Sequence, residues 1–268
     1  MGVLNVTPDS FSDGNRYTRP DVAIEHGRRM WEEGAAIIDV GGESTRPGAE
    51  PVDAEEERRR VLPVIEGLQS CIHASDARPA GLISIDTCKA SVAEAALAAG
   101  AHIVNDVSAL TGDDRMAQVV RAAGAGAVLM HMRGEPRTMQ DDPRYDDVVR
   151  DVVSYLDARV SAAQNVGIAR ECLAIDPGIG FGKTTDHNLQ LLQGLSAFIA
   201  IGLPVVVGLS RKRFLGKITG RETGARPAAG VAANVYSAWQ GASVLRVHDV
   251  AETMDAIKMT VALCAEAS

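Results

Sequence analysis

The apolar positions of the chain fall into two kinds of stretch that alternate from end to end. Short runs rich in Val, Ile, Leu and Ala recur at 2–6, 37–40, 82–85, 102–104, 127–130, 173–175, 204–207 and 244–247. Runs of that length and β-branched content predict strands buried on both faces, as in a parallel sheet. Between them, at 20–34, 53–71, 89–99, 113–123, 146–166, 186–200, 226–240 and 250–265, apolar residues spread at helical spacing, and several of these stretches open on Asp, Thr or Pro. Such residues start helices: a short side-chain oxygen accepts from a free N–H of the first turn, and the fixed φ of proline suits the first helical position. Eight strand–helix units in 268 residues predict an α/β fold of the (β/α)8 or TIM-barrel type. A doubly wound open sheet is the alternative that the same alternation allows. No Pro/Ser-rich linker or low-complexity tract interrupts the pattern, so one domain is expected over residues 1–268.

Composition narrows the function classes. No apolar run reaches the roughly 18 residues a membrane helix needs, and Met1-Gly2-Val3-Leu4-Asn5 lacks the basic lead of a secretory signal, so a cytoplasmic enzyme without a membrane partner is expected. Cys71, Cys88, Cys172 and Cys264 are scattered with no CxxC pair, which argues against a zinc site and a disulfide framework. A net charge of -8 disfavours a nucleic-acid partner, because duplex binding leans on a broad basic surface. Any anion bound here must meet a local basic cluster.

In barrels of this kind the active site lies where strands end and the following loops begin. The eight predicted ends carry Asn5, Asp39 with Glu43, Asp86, Asn105 with Asp106, His131, Asp176, Ser210 with Lys212, and Arg246 with His248. Asp106, Thr111 or Asp249 taken singly reads as a helix or turn cap; caps do not account for all eight ends at once. Arg246 and His248 are two residues apart and so share one strand face, and barrel closure brings strand eight, and with it Asn5 of strand one, to the same rim. A phosphate or diphosphate site built from Asn5, Arg246 and His248 is one reading; a solvated Arg211-Lys212-Arg213 loop and a core histidine at 248 are the other. Asp86, Asn105 and Asp176 suit a flat heterocycle with adjacent N–H donors, such as the 2-amino-4-oxo edge of guanine or a pterin. Carboxylates paired with Lys212 or Arg246 for purely structural reasons are the alternative.

Familiar motifs fail here. Pro177-Gly178-Ile179-Gly180-Phe181-Gly182-Lys183-Thr184 approaches a P-loop but has Pro177 where the first glycine is required. HExxH, GxSxG and a GxGxxG after a strand are absent from the sequence.

Taken in order, several segments resemble the signature stretches of the dihydropteroate synthase family. They are Asn5-Val6-Thr7-Pro8-Asp9-Ser10-Phe11-Ser12-Asp13-Gly14, Gly41-Gly42-Glu43-Ser44-Thr45-Arg46-Pro47-Gly48, Ser84-Ile85-Asp86-Thr87 and Asn105-Asp106-Val107-Ser108, followed by Met130-His131-Met132, Asp176 to Lys183, Ser210-Arg211-Lys212 and Arg246-Val247-His248-Asp249. The resemblance implies an enzyme that joins 6-hydroxymethyl-7,8-dihydropterin diphosphate to 4-aminobenzoate in folate synthesis. It implies that Asp86, Asn105, Asp176 and Lys212 hold the pterin ring, with Met130 and Phe181 as apolar walls. Arg246 and His248 would take the diphosphate, and Asn5 would offer its carbonyl oxygen to Mg²⁺, an ion content with few protein ligands plus phosphate oxygens. Thr45, Arg46, Pro47, Phe11 and Ser210 would frame the aminobenzoate. Arg246, His248 and Lys212 would carry the catalytic charge stabilisation, and a homodimer is implied. Family members carry several residues before the first strand, where this chain starts within it, and have Ala or Thr at the place of Leu209. Rival readings are a pterin-dependent methyltransferase domain on the same fold, a catalytically silent pterin-binding paralogue, and a Schiff-base aldolase using Lys212.

Overall fold

The computed structural model describes residues 1–7, 20–44, 51–74, 81–134 and 138–265. Its strands are β1 (Gly2–Asn5), β2 (Ile37–Gly41), β3 (Leu82–Asp86), β4 (Ile103–Asp106), β5 (Gly126–Met130), β6 (Leu173–Asp176), β7 (Val206–Gly208) and β8 (Val244–Arg246). Each lies within two residues of the apolar run that announced it. β1 to β6 pair in sequence order as one parallel sheet, and β7 pairs β8 in another. Two bridges close the ring, Gly2 with Val247 and Ile175 with Val205. Hydrogen bonds from Val3 N to Val247 O (2.8 Å) and from Ile175 N to Pro204 O (3.0 Å) span the same seams. The fold is a (β/α)8 barrel, and the open-sheet alternative is excluded by that closure.

The helices are α1 (Pro20–Glu32), α2 (Ala54–Ala74), α3 (Ala90–Ala98), α4 (Met116–Ala123), α5 (Val148–Val166), α6 (Thr185–Gln193), α7 (Leu195–Ile199), α8 (Arg213–Thr219), α9 (Pro227–Trp239) and α10 (Val250–Cys264). Caps set several boundaries. The Asp147 side chain accepts from Arg150 N ahead of α5, and Gly167 ends that helix at φ 100°, a left-handed conformation that costs glycine little. Two expectations change. The 186–200 stretch breaks at Gly194 into α6 and α7, and the basic 211–213 run stays a loop through Lys212 and enters α8 at Arg213.

Strand periodicity sorts the side chains into two layers. Leu4, Ile38, Val40, Ile83, Ile85, Val104, Leu129, Ile175 and Val207 face the helices in one continuous core. Their neighbours in sequence point into the barrel, where Asp39, Ser84, Asn105 and Asp176 are buried. In register, Asn5 lies beside Gly41, Gly41 beside Asp86, Asp86 beside Asn105, and Met130 beside Asp176. The sheet thus delivers its polar residues to one level at the C-terminal mouth. No helix among the described residues is long and apolar enough to cross a membrane.

Candidate active site

A pocket opens at that mouth, lined by Val3, Asp86, Asn105, Val107, Met130, Asp176, Ile179, Phe181, Gly208, Ser210, Lys212, Arg246 and His248. On the β2–β3–β8 side, charges are paired directly. Arg246 Nε donates to Asp39 Oδ2 at 2.6 Å and its Nη2 to Asp86 Oδ2 at 2.7 Å. Asn105 Nδ2 also donates to Asp39 Oδ2, at 3.0 Å. That bond fixes the amide so that its carbonyl oxygen is left to accept from a ligand. One guanidinium therefore serves two carboxylates. Burial pushes Asp86 up to about 7, ahead of the opposing pull of Arg246. Burial alone would lower Arg246, and Asp39 and Asp86 together reverse this and raise it.

The β6–β7 side is built differently. Asp176 Oδ1 accepts from Gly178 N at 2.7 Å, and burial raises its pKa. Lys212 Nζ sits 4.0 Å from the centroid of the Phe181 ring, a cation–π arrangement, and burial lowers it to about 8. Burial thus weakens both charges, although Asp176 and Lys212 each favour the ionised form of the other. Beside them, the Nδ1 of His248 lies 3.0 Å from Ser210 Oγ, which also accepts from His248 N at 3.3 Å.

The loop after β6 presses against the chain leaving β5. A Cβ on Gly178 (φ +69°) would lie 1.8 Å from His131 O, and one on Gly182 (φ +63°) 2.2 Å from Arg133 O, so both close approach and backbone conformation demand glycine. At the exit of β2, Lys89 Nζ pairs with Glu43 and with the buried Glu57, and Glu43 Oε1 accepts from Val52 N at 3.2 Å. One carboxylate so ties residue 43 to residue 52.

A family model for the pterin binding enzymes matches residues 1–248. The chain belongs to the pterin binding enzyme family. Dihydropteroate synthase of Escherichia coli (strain K12) is 43% identical over 259 residues, covering 97% of this chain and 89% of that protein. Dihydropteroate synthase of Xanthomonas albilineans, solved with 4-aminobenzoic acid, superposes with a TM-score of 0.91 at 48% identity, covering 99% of this chain and 93% of the other. The same enzyme solved with 7,8-dihydropteroate gives a TM-score of 0.88 at 45% identity, with the same coverage.

For this pterin binding enzyme, the structure gathers Asp86, Asn105, Met130, Asp176, Phe181, Ser210, Lys212, Arg246 and His248 around one pocket. Asn5 is not among the lining residues; it ends β1 beside Gly41, where a Cβ would lie 3.8 Å from Asn5 Oδ1 and 3.7 Å from Asp86 Oδ2. Phe11, Thr45, Arg46 and Pro47 lie outside the described residues. Asp106 turns to its own loop, its carboxylate accepting from Ser108 N (2.7 Å) and Leu110 N (3.0 Å), as a turn cap does. Asp39 and His131 carried no individual role in the sequence reading, and Val107, Ile179 and Lys183 were not singled out. Val107 follows Asn105 by two and shares its inward direction, a signal the period-two rule carries.

Proposed function

We infer that the chain catalyses the dihydropteroate synthase reaction, joining 6-hydroxymethyl-7,8-dihydropterin diphosphate to 4-aminobenzoate with release of diphosphate. The observation that carries the site assignment is the set of open acceptors at the pocket. Asp176 has one oxygen held by Gly178 N–H and the other without a hydrogen bond among the described residues, beside the carbonyl oxygen of Asn105. Such a set suits a ring edge with adjacent N–H donors. Phe181 and Met130 supply apolar walls, and Lys212 offers ammonium protons to the ring acceptors.

Arg246 keeps Nη1 without a hydrogen bond among the described residues, and we assign it, with His248, to the diphosphate. The C–O bond to the leaving diphosphate breaks, and the electron-rich ring carries the positive charge left on its methylene carbon. The weakly basic aryl amine then forms the new C–N bond and gives up a proton to solvent. Preorganised cations placed where negative charge grows on the leaving group lower this barrier. No strong general base is required. Ser210, with Phe11, Thr45, Arg46 and Pro47, is assigned to the aminobenzoate.

Magnesium fits this donor set. Asn5 Oδ1 makes no hydrogen bond among the described residues and is a hard oxygen at the end of β1, across Gly41 from Asp86. An ion held there through one amide oxygen and phosphate oxygens would neutralise charge on the leaving diphosphate. We further propose a homodimer formed through α9 and α10, which expose the large apolar side chains Trp239, Met259, Val261 and Leu263 at 58–73%.

The test is turnover. The protein, the pterin diphosphate, aminobenzoate and Mg²⁺ are mixed, and diphosphate and dihydropteroate are both quantified. One diphosphate per dihydropteroate, dependent on both substrates, is expected; pterin binding without product would mark a silent paralogue.

A further inference from the structure

Lys183 is a lysine with only 3% of its surface exposed, and the reaction outlined above makes no use of it. Its Nζ lies 2.9 Å from His131 Nδ1, donates to Phe181 O at 2.9 Å and reaches His131 O at 3.3 Å. An ammonium has three protons and no acceptor capacity, so three acceptors satisfy it, and His131 must present Nδ1 as a lone pair. The histidine is held in turn, its ring edge-on to Tyr155 at 4.9 Å. Lysine is rarely buried unless paired; here its partners are backbone carbonyls and a neutral ring rather than a carboxylate in direct contact.

What those partners do explains the arrangement. Phe181 O belongs to the residue whose ring walls the pocket. The point where a Cβ on Gly178 would sit is 3.3 Å from Lys183 Nζ, so the ammonium lies beneath the turn whose N–H orients Asp176. Other groups secure the rest of the loop: Gly180 O accepts from Gln140 Nε2 at 2.5 Å, Gly182 O from Tyr145 Oη at 2.9 Å, and Gly180 N donates to Asn188 Oδ1 at 2.8 Å. Among the described residues, Lys183 is the one side chain that joins the exit of β5, the aromatic wall and the Asp176 turn.

We propose that Lys183 is a positioning residue for the pterin: by holding Phe181 O and the Gly178 turn against His131, it sets the spacing between the aromatic wall and Asp176 without touching the ligand. This rests on the reading that the ring binds between those two groups. Burial lowers the amine to about 7, and a neutral amine has one fewer proton for the same three acceptors.

The test is calorimetric titration of 6-hydroxymethyl-7,8-dihydropterin into the wild type, Lys183→Met and Lys183→Gln, alongside steady-state kinetics of each. Lys183→Met keeps the length and loses every donor, leaving buried carbonyls unpaired; a rise in Kd of about tenfold or more is expected. Lys183→Gln keeps two N–H donors and should fall between. KM for the pterin diphosphate should rise in parallel, while KM for aminobenzoate stays within about twofold, since a merely structural loss would lower the active fraction and move neither KM. Folded variants with wild-type pterin Kd, or equal losses for both substrates, would overturn the proposal. If Lys183→Met does not fold, Lys183→Gln decides by the same readouts. A wild type that binds no pterin would instead sink the functional reading.

Discussion

Two carboxylates, Asp176 buried and Asp86 partly exposed, line the mouth of the barrel, and they are held in opposite ways. Asp86 shares the guanidinium of Arg246 with Asp39, so the charges on that side are paired within the protein, and what stays open there is Asp39 Oδ1 and Arg246 Nη1, neither with a hydrogen bond among the described residues. Asp176 is held by a single backbone N–H, and the nearby Lys212 has a ring face as its contact. The first arrangement is a scaffold that is already paired; the second keeps hydrogen-bonding capacity for something else. A group whose partners are already in place has little to gain from a ligand, whereas an open buried acceptor gains a great deal. The comparison predicts that the Arg246 side carries folding stability and the Asp176 side carries ring affinity.

The largest effect should fall on stability. Arg246→Met leaves Asp39 and Asp86 together without a cation, and removal of one member of a buried pair costs about 3 kcal/mol or more. Urea denaturation monitored by circular dichroism checks this; a loss under about 1 kcal/mol would break the distinction between the two sides. Next, Asp176→Asn should cost about 2–3 kcal/mol of affinity for the pterin alcohol, because an amide turns N–H groups toward the ring donors and the charge-assisted bonds are lost. Its folding stability should move little, since burial already disfavours the charge. Asp86→Asn should cost less ring affinity than Asp176→Asn, because the charge of Asp86 is already paired with the Arg246 guanidinium whereas Asp176 is held only by a backbone N–H. Calorimetry on the two variants tests this ordering, and the reverse ordering would contradict it.

A smaller effect concerns pH. Burial, reinforced by Lys183, lowers His131 to about 3 from an ordinary value near 6.5. The unfolded chain then binds a proton that the folded chain refuses. Stability from this group is complete above about 6.5 and is lost as pH falls toward 3. Between pH 7.5 and 5 the linkage amounts to about 2 kcal/mol. His131→Gln should lose correspondingly less over that interval, and denaturation curves that shift equally for both proteins would refute the assignment. The smallest effect is expected for Phe181→Leu, which exchanges an aromatic wall for an aliphatic one and should cost about 0.5–1 kcal/mol of pterin affinity.

The same contrast explains what the sequence made legible. Strand positions were readable because runs such as 82–85 and 127–130 are apolar and short, and the residue ending each run falls at the barrel mouth by construction. Asp86, Asn105 and Asp176 follow from that rule without knowledge of their partners, and Arg246 stands out as the one charge inside the last run. The pairing of Asp86 with Arg246 was one of the alternatives the sequence left open; the part played by Asp39 was not readable. Asp39 lies two residues before the strand end, and its pairing with Arg246 spans the barrel through 207 positions of sequence, which no local pattern encodes. Lys183 looked like part of a glycine-rich loop, and its inward turn depends on the approach of that loop to His131, a tertiary event. The helix at 213–219 was obscured for a related reason: it follows directly on, and takes its first residue from, the basic run that composition assigns to solvent, whereas Phe214 and Leu215 are buried in the core.

The most direct test of the account is a crystal structure of the protein with 7,8-dihydropteroate bound. The account predicts the pterin ring against Phe181, with the second oxygen of Asp176 and the carbonyl oxygen of Asn105 within hydrogen-bond distance of its N–H edge and the Arg246–Asp39 pair intact. A ring bound away from Asp176, or one that displaces Arg246 from Asp39 to reach its acceptors, would contradict it.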